Sequence, residues 1–225
     1  FIDAISSIFK CLSFICNKII YYILYMNILH EDPHICYYDN FVTDEECEFI
    51  INVSKPHMKR ARVSDKSLDI SSYKGRTNES YWIPLNKYDI MKRLCLRIAI
   101  EIGVPFKHFE SFQVIHYTEG QEYKYHYDAY DKNNVEKYQE YCGQRGNRLK
   151  TVLCYINDVQ EGGGTGFDSI EGRQEPLIVD PVKGRMVVFQ NVHEDGSLHK
   201  QSRHAGLPVI SGEKWAFNLW VREKE

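Results

Sequence analysis

Residues 112–128 read Phe-Gln-Val-Ile-His-Tyr-Thr-Glu-Gly-Gln-Glu-Tyr-Lys-Tyr-His-Tyr-Asp. Here the periodicity of the chain changes to two. Successive side chains of an extended backbone point to opposite faces, so this period marks strands. Two runs, Phe112–Tyr117 and Tyr123–Tyr127, flank a turn signal at Glu119-Gly120. The pattern continues downstream over Thr151–Asn157, Leu177–Val179, Met186–Gln190 and Trp215–Val221. Gly162-Gly163-Gly164, Pro181–Gly184 and Ser211-Gly212 punctuate these runs. Many short strands with Gly and Pro turns predict a sandwich or barrel, mainly β with flanking helices (α+β).

Upstream the signals are helical. Thr43-Asp-Glu-Glu46 has capping-box spacing and precedes Phe49, Ile50 and Val53. Met91, Leu94, Ile98 and Ile102 share one face of a helix expected over Leu85–Ile102, with Gly103 placed to end it. A short strand is expected at Cys36–Asp39. Residues 56–80 and Asp131–Asn147 are polar and irregular, and the second stretch reads as a loop or lid.

The polar break at His30–His34 sets a domain boundary: an apolar segment over residues 1–32, then one domain over 33–225. Lys10 and Lys18 interrupt the apolar segment, and Ile19–Met26 falls short of the ~18 apolar residues a spanning helix needs. Residues 1–29 fit a membrane anchor or uncleaved signal, an amphipathic helix packed on the domain, or a processed segment. The localisation expected from them is endoplasmic reticulum or membrane-associated, with a cytoplasmic site as the alternative.

A net charge of −3 provides no global field for nucleic acid, so no nucleic-acid partner is expected. Seven cysteines without a CxxC pair signal neither a disulfide framework nor a zinc site. Cys154 lies in an apolar run and reads as a small core residue.

The chemistry centres on His126-Tyr-Asp128. Residues i and i+2 of a strand project from one face, so this imidazole and carboxylate converge. A lone His-x-Asp is most often a surface pair. A second histidine on a later strand would complete a two-histidine, one-carboxylate set, which leaves positions open on Fe(II). His204, 76 residues after Asp128, is the candidate, and His199 is its rival. Ten residues beyond His204 stands Lys214, inside an otherwise apolar run. A buried ammonium needs an anion, whereas a strand lysine at an edge would reach solvent. His116 alternates with apolar residues and reads as a satisfied core residue.

Four segments carry a family resemblance. Tyr117–Asp128 resembles the YxxGxxYxxHxD segment of prolyl 4-hydroxylases. Arg148–Phe167 resembles the next, a strand pair ending in GGxTxF. Pro181–Phe189 matches PxxGxxxxF, and His204–Trp215 matches the closing HAGxPVxxGxKW, which continues into Trp220-Val-Arg222. The resemblance runs from about Cys36 to Arg222. It implies a double-stranded β-helix, or jelly roll. It implies Fe(II) held by His126, Asp128 and His204. Lys214, Tyr117 and Thr165 would bind 2-oxoglutarate, with O2 as the other co-substrate and ascorbate as a further requirement. Arg148, Arg76 and Trp82 would help hold a proline-containing peptide, hydroxylated to 4-hydroxyproline with release of succinate and CO2. A hydroxylase of another residue or small molecule, a nucleic-acid dealkylating dioxygenase and a non-catalytic jelly-roll module are the alternatives.

Two departures stand out. The family often has SLHAG, whereas here four residues separate Ser197-Leu-His199 from His204-Ala-Gly206. Asp168 stands where the family usually has proline after GGxTxF.

Overall fold

The computed structural model describes residues 26–63 and 74–225. In chain order the first strands are β1 (Met26–Glu31), β2 (His34–Tyr38), β3 (Lys59–Arg60), β4 (Glu79–Ile83) and β5 (Phe112–Tyr117). Then come β6 (Tyr123–His126), β7 (Arg148–Tyr155), β8 (Glu161–Gly162), β9 (Thr165–Phe167) and β10 (Leu177–Val179). The last are β11 (Met186–Gln190), β12 (His204–Gly206), β13 (Val209–Ser211) and β14 (Lys214–Arg222). The α-helices are α1 (Asp44–Ser54), α2 (Asp89–Glu101) and α3 (Val135–Cys142).

Eight strands pair in the order β1-β2-β11-β7-β14-β5-β4-β3, and a smaller sheet runs β10-β9-β12-β6. The period of two decides what each face meets. On one side of the large sheet Val114, Val152, Cys154, Val188, Phe217 and Leu219 pack with Ile50 of α1 and Leu94 and Ile98 of α2. On the other, Ile115, Leu153, Val187, Phe189 and Ala216 pack with Phe167, Leu177 and Val179 of the small sheet. Each fully buried Val, Leu, Ile or Phe contributes about 1.5–3 kcal/mol. The large sheet is therefore a wall between helices and a jelly roll, and the site lies on the jelly-roll side. This is the double-stranded β-helix expected.

The helices obey their local signals. Thr43 Oγ1 accepts from the Glu46 N–H at 3.3 Å, and Glu46 Oε2 accepts from the Thr43 N–H at 2.9 Å. Glu46 also takes two bonds from Arg97 of α2, at 2.7 and 2.9 Å, so one residue caps α1 and ties both helices together. Gly103 follows α2 at φ +66°, a conformation that favours glycine over any residue with a Cβ.

Two differences from the sequence reading have physical causes. The sheet begins at Met26, inside the stretch assigned to the apolar segment, because β1 pairs antiparallel with β2. The anchor or helix expected over residues 1–29 otherwise falls outside the described residues, among which no helix is long and apolar enough to cross a membrane. Residues 131–147 are not all loop. Asn134 caps α3 by accepting from the Lys137 N–H at 3.2 Å. The helix is only eight residues long and buries only Cys142, too short a run for its periodicity to reveal it.

Candidate functional site

His126 ends β6, and His204 opens the neighbouring β12 directly opposite it. Their ring centroids lie 4.4 Å apart. Asp128 Oδ1 is 3.6 Å from His126 Nε2, and Asp128 Oδ2 is 3.5 Å from His204 Nε2. One ligand-capable atom from each of the three lies within 4.8 Å of the others.

The proton positions follow from the partners. His126 Nδ1–H donates to the Lys124 carbonyl at 2.8 Å, and His204 Nδ1–H donates to the Ser202 carbonyl at 2.9 Å. A carbonyl only accepts, so each ring carries its proton on Nδ1 and turns an Nε2 lone pair to the cluster. Burial pushes the His204 imidazole down to about 4, which keeps it neutral at pH 7 even beside Asp128. Burial alone would raise the Asp128 carboxyl, but His204, His126 and Arg148 hold it well below the usual carboxylate range. Two neutral imidazoles and one carboxylate, converging with their lone pairs inward, suit an Fe(II) ion.

The expected strand through Tyr127 stops at His126, so β6 itself does not place Asp128. Thr151 of β7 does: its hydroxyl donates to Asp128 Oδ2 at 2.7 Å, and Asn191 Nδ2 donates to Thr151 Oγ1 at 2.8 Å. Both side chains are buried. Sequence reasoning passed over Thr151 and Asn191. Their signal was a small polar residue at an inward position of, or just beyond, an apolar strand.

At the deep end of the same space Lys214 is 1% exposed and sits opposite Tyr117 in the β14–β5 register. Its Nζ lies 5.1 Å from the Tyr117 ring centroid and 5.2 Å from that of Tyr155. Among the described residues it has no carboxylate partner, and burial lowers its ammonium to about 7. An orphan cation walled by two phenols fits the far carboxylate of a dicarboxylate. Thr165 Oγ1 is 2.6 Å from the Tyr155 hydroxyl. The Tyr155 hydroxyl donates to the Val179 carbonyl at 3.2 Å, so the two hydroxyls form one buried chain on the cavity wall. Tyr155 is a third residue that sequence reasoning missed. A Cβ on Gly206 would lie 3.2 Å from the Tyr117 hydroxyl, so glycine there gives the phenol room.

One cavity of about 710 Å³ is lined by all nine residues singled out: His126, Asp128, His204, Lys214, Tyr117, Thr165, Arg76, Trp82 and Arg148. Both arginines expected to help hold a peptide are engaged by groups of the protein itself. Arg76 donates to Asn78, to the Arg62 carbonyl and to Gln113, and it covers the Tyr123 ring at 4.5 Å. Arg148 donates to Glu110 at 2.7 and 2.9 Å and lies 3.7 Å over the Trp220 ring. They stiffen the wall. Trp82, 44% exposed and 5.7 Å from Trp220, offers the mouth an open aromatic face.

His199 lies outside the cluster, bonded to Asp32 at 2.9 Å. His116 is satisfied, though by Glu79 and Glu213 at 3.4 and 2.8 Å and by stacking on Trp215. Asp168 takes both bonds of an Arg203 fork, a role proline could not fill.

The chain matches the 2OG-Fe(II) oxygenase superfamily over residues 112–222. It is 32% identical over 216 residues to a probable prolyl 4-hydroxylase (number 10) of Arabidopsis thaliana, covering 89% of this chain and 73% of that protein. It is similar to the viral collagen prolyl hydroxylase of Paramecium Bursaria Chlorella virus-1, solved as a 2OG complex. The TM-score is 0.65 and identity 27%, over 84% of this chain and 95% of that one. The fold is shared with a Trichoplax adhaerens prolyl hydroxylase solved with a hypoxia inducible factor peptide fragment. There the TM-score is 0.61 and identity 16%, over 84% of this chain and 83% of that one.

Proposed function

The chain belongs to the prolyl 4-hydroxylases of the 2OG-Fe(II) oxygenase superfamily, and from that premise we propose that it hydroxylates peptidyl proline to 4-hydroxyproline. It is a 2-oxoglutarate-dependent dioxygenase that uses Fe(II) and O2. When bound, Fe(II) and 2-oxoglutarate supply the activation of O2, with succinate and CO2 as co-products.

In this proposal His126, Asp128 and His204 hold the metal through two Nε2 lone pairs and one carboxylate. Thr151 fixes the carboxylate and Asn191 fixes Thr151. Lys214 pairs with the distal carboxylate of 2-oxoglutarate, and Thr165 and the Tyr117 hydroxyl hydrogen-bond the same co-substrate. Ile115, Leu153 and Phe189 line the space between and exclude water. Trp82, Tyr81, Tyr127 and Trp220 border the mouth. Aromatic walls suit an extended proline-rich ligand, whose rings stack without hydrogen bonds. One observation carries the reading: a metal-ready cluster and an unpaired buried ammonium occupy one cavity.

The test is succinate release from 2-oxoglutarate with Fe(II) and a proline-rich peptide library, each peptide read by mass for one added oxygen. Succinate with oxidised proline supports the proposal. Succinate without peptide oxidation would discard the prolyl assignment, and no succinate from folded, iron-loaded protein would discard the enzyme. Anchoring through the apolar N-terminal segment, and an endoplasmic reticulum or membrane site, belong to the same proposal. Fractionating cells that express the tagged full chain tests that part.

A further inference from the structure

A second gathering of metal-ligating side chains lies outside the cavity. The β1–β2 turn carries Asp32, and the loop between β11 and β12 carries His193 and His199. We propose that Asp32, His193 and His199 form a second metal site, for a divalent transition cation of the zinc class, which fastens the turn to the loop.

The geometry suits a small ion. One ligand-capable atom from each residue lies within 4.8 Å of the others. The two imidazoles stack with centroids 3.9 Å apart and planes 27° apart, so the exposed His193 ring would turn to aim its lone pair at an ion beside Asp32 Oδ1 and His199 Nε2, themselves 2.9 Å apart. Two imidazoles and one carboxylate select a borderline cation, since Ca²⁺ and Mg²⁺ take all-oxygen shells. Three protein ligands leave a fourth tetrahedral position to water, and the exposure of Asp32 and His193 leaves room for it.

The supports are rigid. The His199 N–H donates to the Asn191 carbonyl at 3.0 Å, and Ser202 Oγ donates to the His199 carbonyl at 2.7 Å. A tight turn holds His193: its N–H donates to the Ser197 carbonyl, and its carbonyl accepts from the Gly196 N–H, both at 2.9 Å. His199 is 1% exposed, yet among the described residues its Nδ1 has no hydrogen-bond partner. A buried imidazole with one nitrogen orphaned, and the other aimed at a solvent-facing carboxylate, is poorly explained by packing alone. His199 also sits at the departure from the SLHAG pattern.

The test is Zn²⁺ binding to the full chain after chelator treatment, counted by equilibrium dialysis. Wild type is expected to bind two equivalents. Asp32→Asn and His193→Ala should each bind one, as should His126→Ala, and the His126→Ala/His193→Ala double variant should bind none. Asp32 and His193 are exposed, and their variants should match the wild-type melting temperature in chelator. In the His126→Ala background Zn²⁺ should raise the melting temperature, and adding Asp32→Asn should remove the rise. A single equivalent in wild type, abolished by His126→Ala, overturns the proposal. So do two equivalents unchanged by Asp32→Asn and His193→Ala.

Discussion

Among the described residues two clusters each join two histidines and one aspartate, and their surroundings separate them. In the cavity each imidazole has its Nδ1–H engaged by a carbonyl, and Thr151 braces the carboxylate. At the surface Asp32 has no such brace, and the buried His199 has an unsatisfied nitrogen. Identical donor types thus stand on side chains braced in one set and on a braced backbone with freer side chains in the other. Ligand identity says what a site can bind. The hydrogen bonds behind the ligands say how firmly they are positioned.

The sharpest break of this contrast is the loss of an inner ligand. Asp128→Ala or His126→Ala should lower turnover more than ~100-fold, beyond the usual effect of losing an outer partner. Circular dichroism should show the fold retained. Robust residual hydroxylation would sink the iron assignment.

Next in size is Lys214→Met. Removing one partner of a buried charge pair costs about 2–5 kcal/mol, so half-saturation by 2-oxoglutarate should rise ~30-fold or more. The same change removes an unpaired buried charge, so the protein without co-substrate should melt higher, by about 1 kcal/mol or more in stability. An unchanged 2-oxoglutarate requirement would mean that another cation fills the role.

The pH dependence of this residue has a definite sign. Its folded pKa of about 7 lies below the unfolded lysine value. Between these values the unfolded chain binds more protons, so stability of the unliganded protein rises with pH from 7 upward. Co-substrate binding needs the ammonium and should therefore weaken over the same range. Calorimetry at pH 8 in buffers of different ionisation enthalpy should show uptake approaching one proton on binding 2-oxoglutarate. No uptake would mean that Lys214 is already charged.

Thr151→Val tests the brace. Fe(II) affinity should fall by ~10–100-fold while the three ligands remain. An unchanged affinity would reduce Thr151 to a packing residue. The smallest effect belongs to the surface set: His193→Ala should leave turnover within about twofold, as expected of an exposed position. A large loss would couple that set to the oxygenase reaction.

Much of this architecture was legible. The period of two located β5, β10 and β11 to the residue, and the capping box located α1. The nine residues singled out line one cavity because strand geometry and motif spacing both act over short stretches. The amphipathic stripe of α2 runs over 13 residues and was equally clear, whereas α3 spans only eight and buries one, too little for its period to be read.

The sequence by itself determined the strand faces, the helix starts and the set of polar residues that a β framework would turn inward. Those follow from contacts between residues a few positions apart. Only the tertiary structure decided which cations stay unpaired and which carboxylates are braced. Arg148 and Arg76 proved to be engaged, Lys214 to be alone, and Thr151 with Asn191 to stand behind Asp128. Asp32 and His199, 167 positions apart, meet only because β1 folds back on β2 beside the loop that follows β11. Desolvation and hydrogen-bond partnership depend on such distant neighbours, and no local periodicity encodes them.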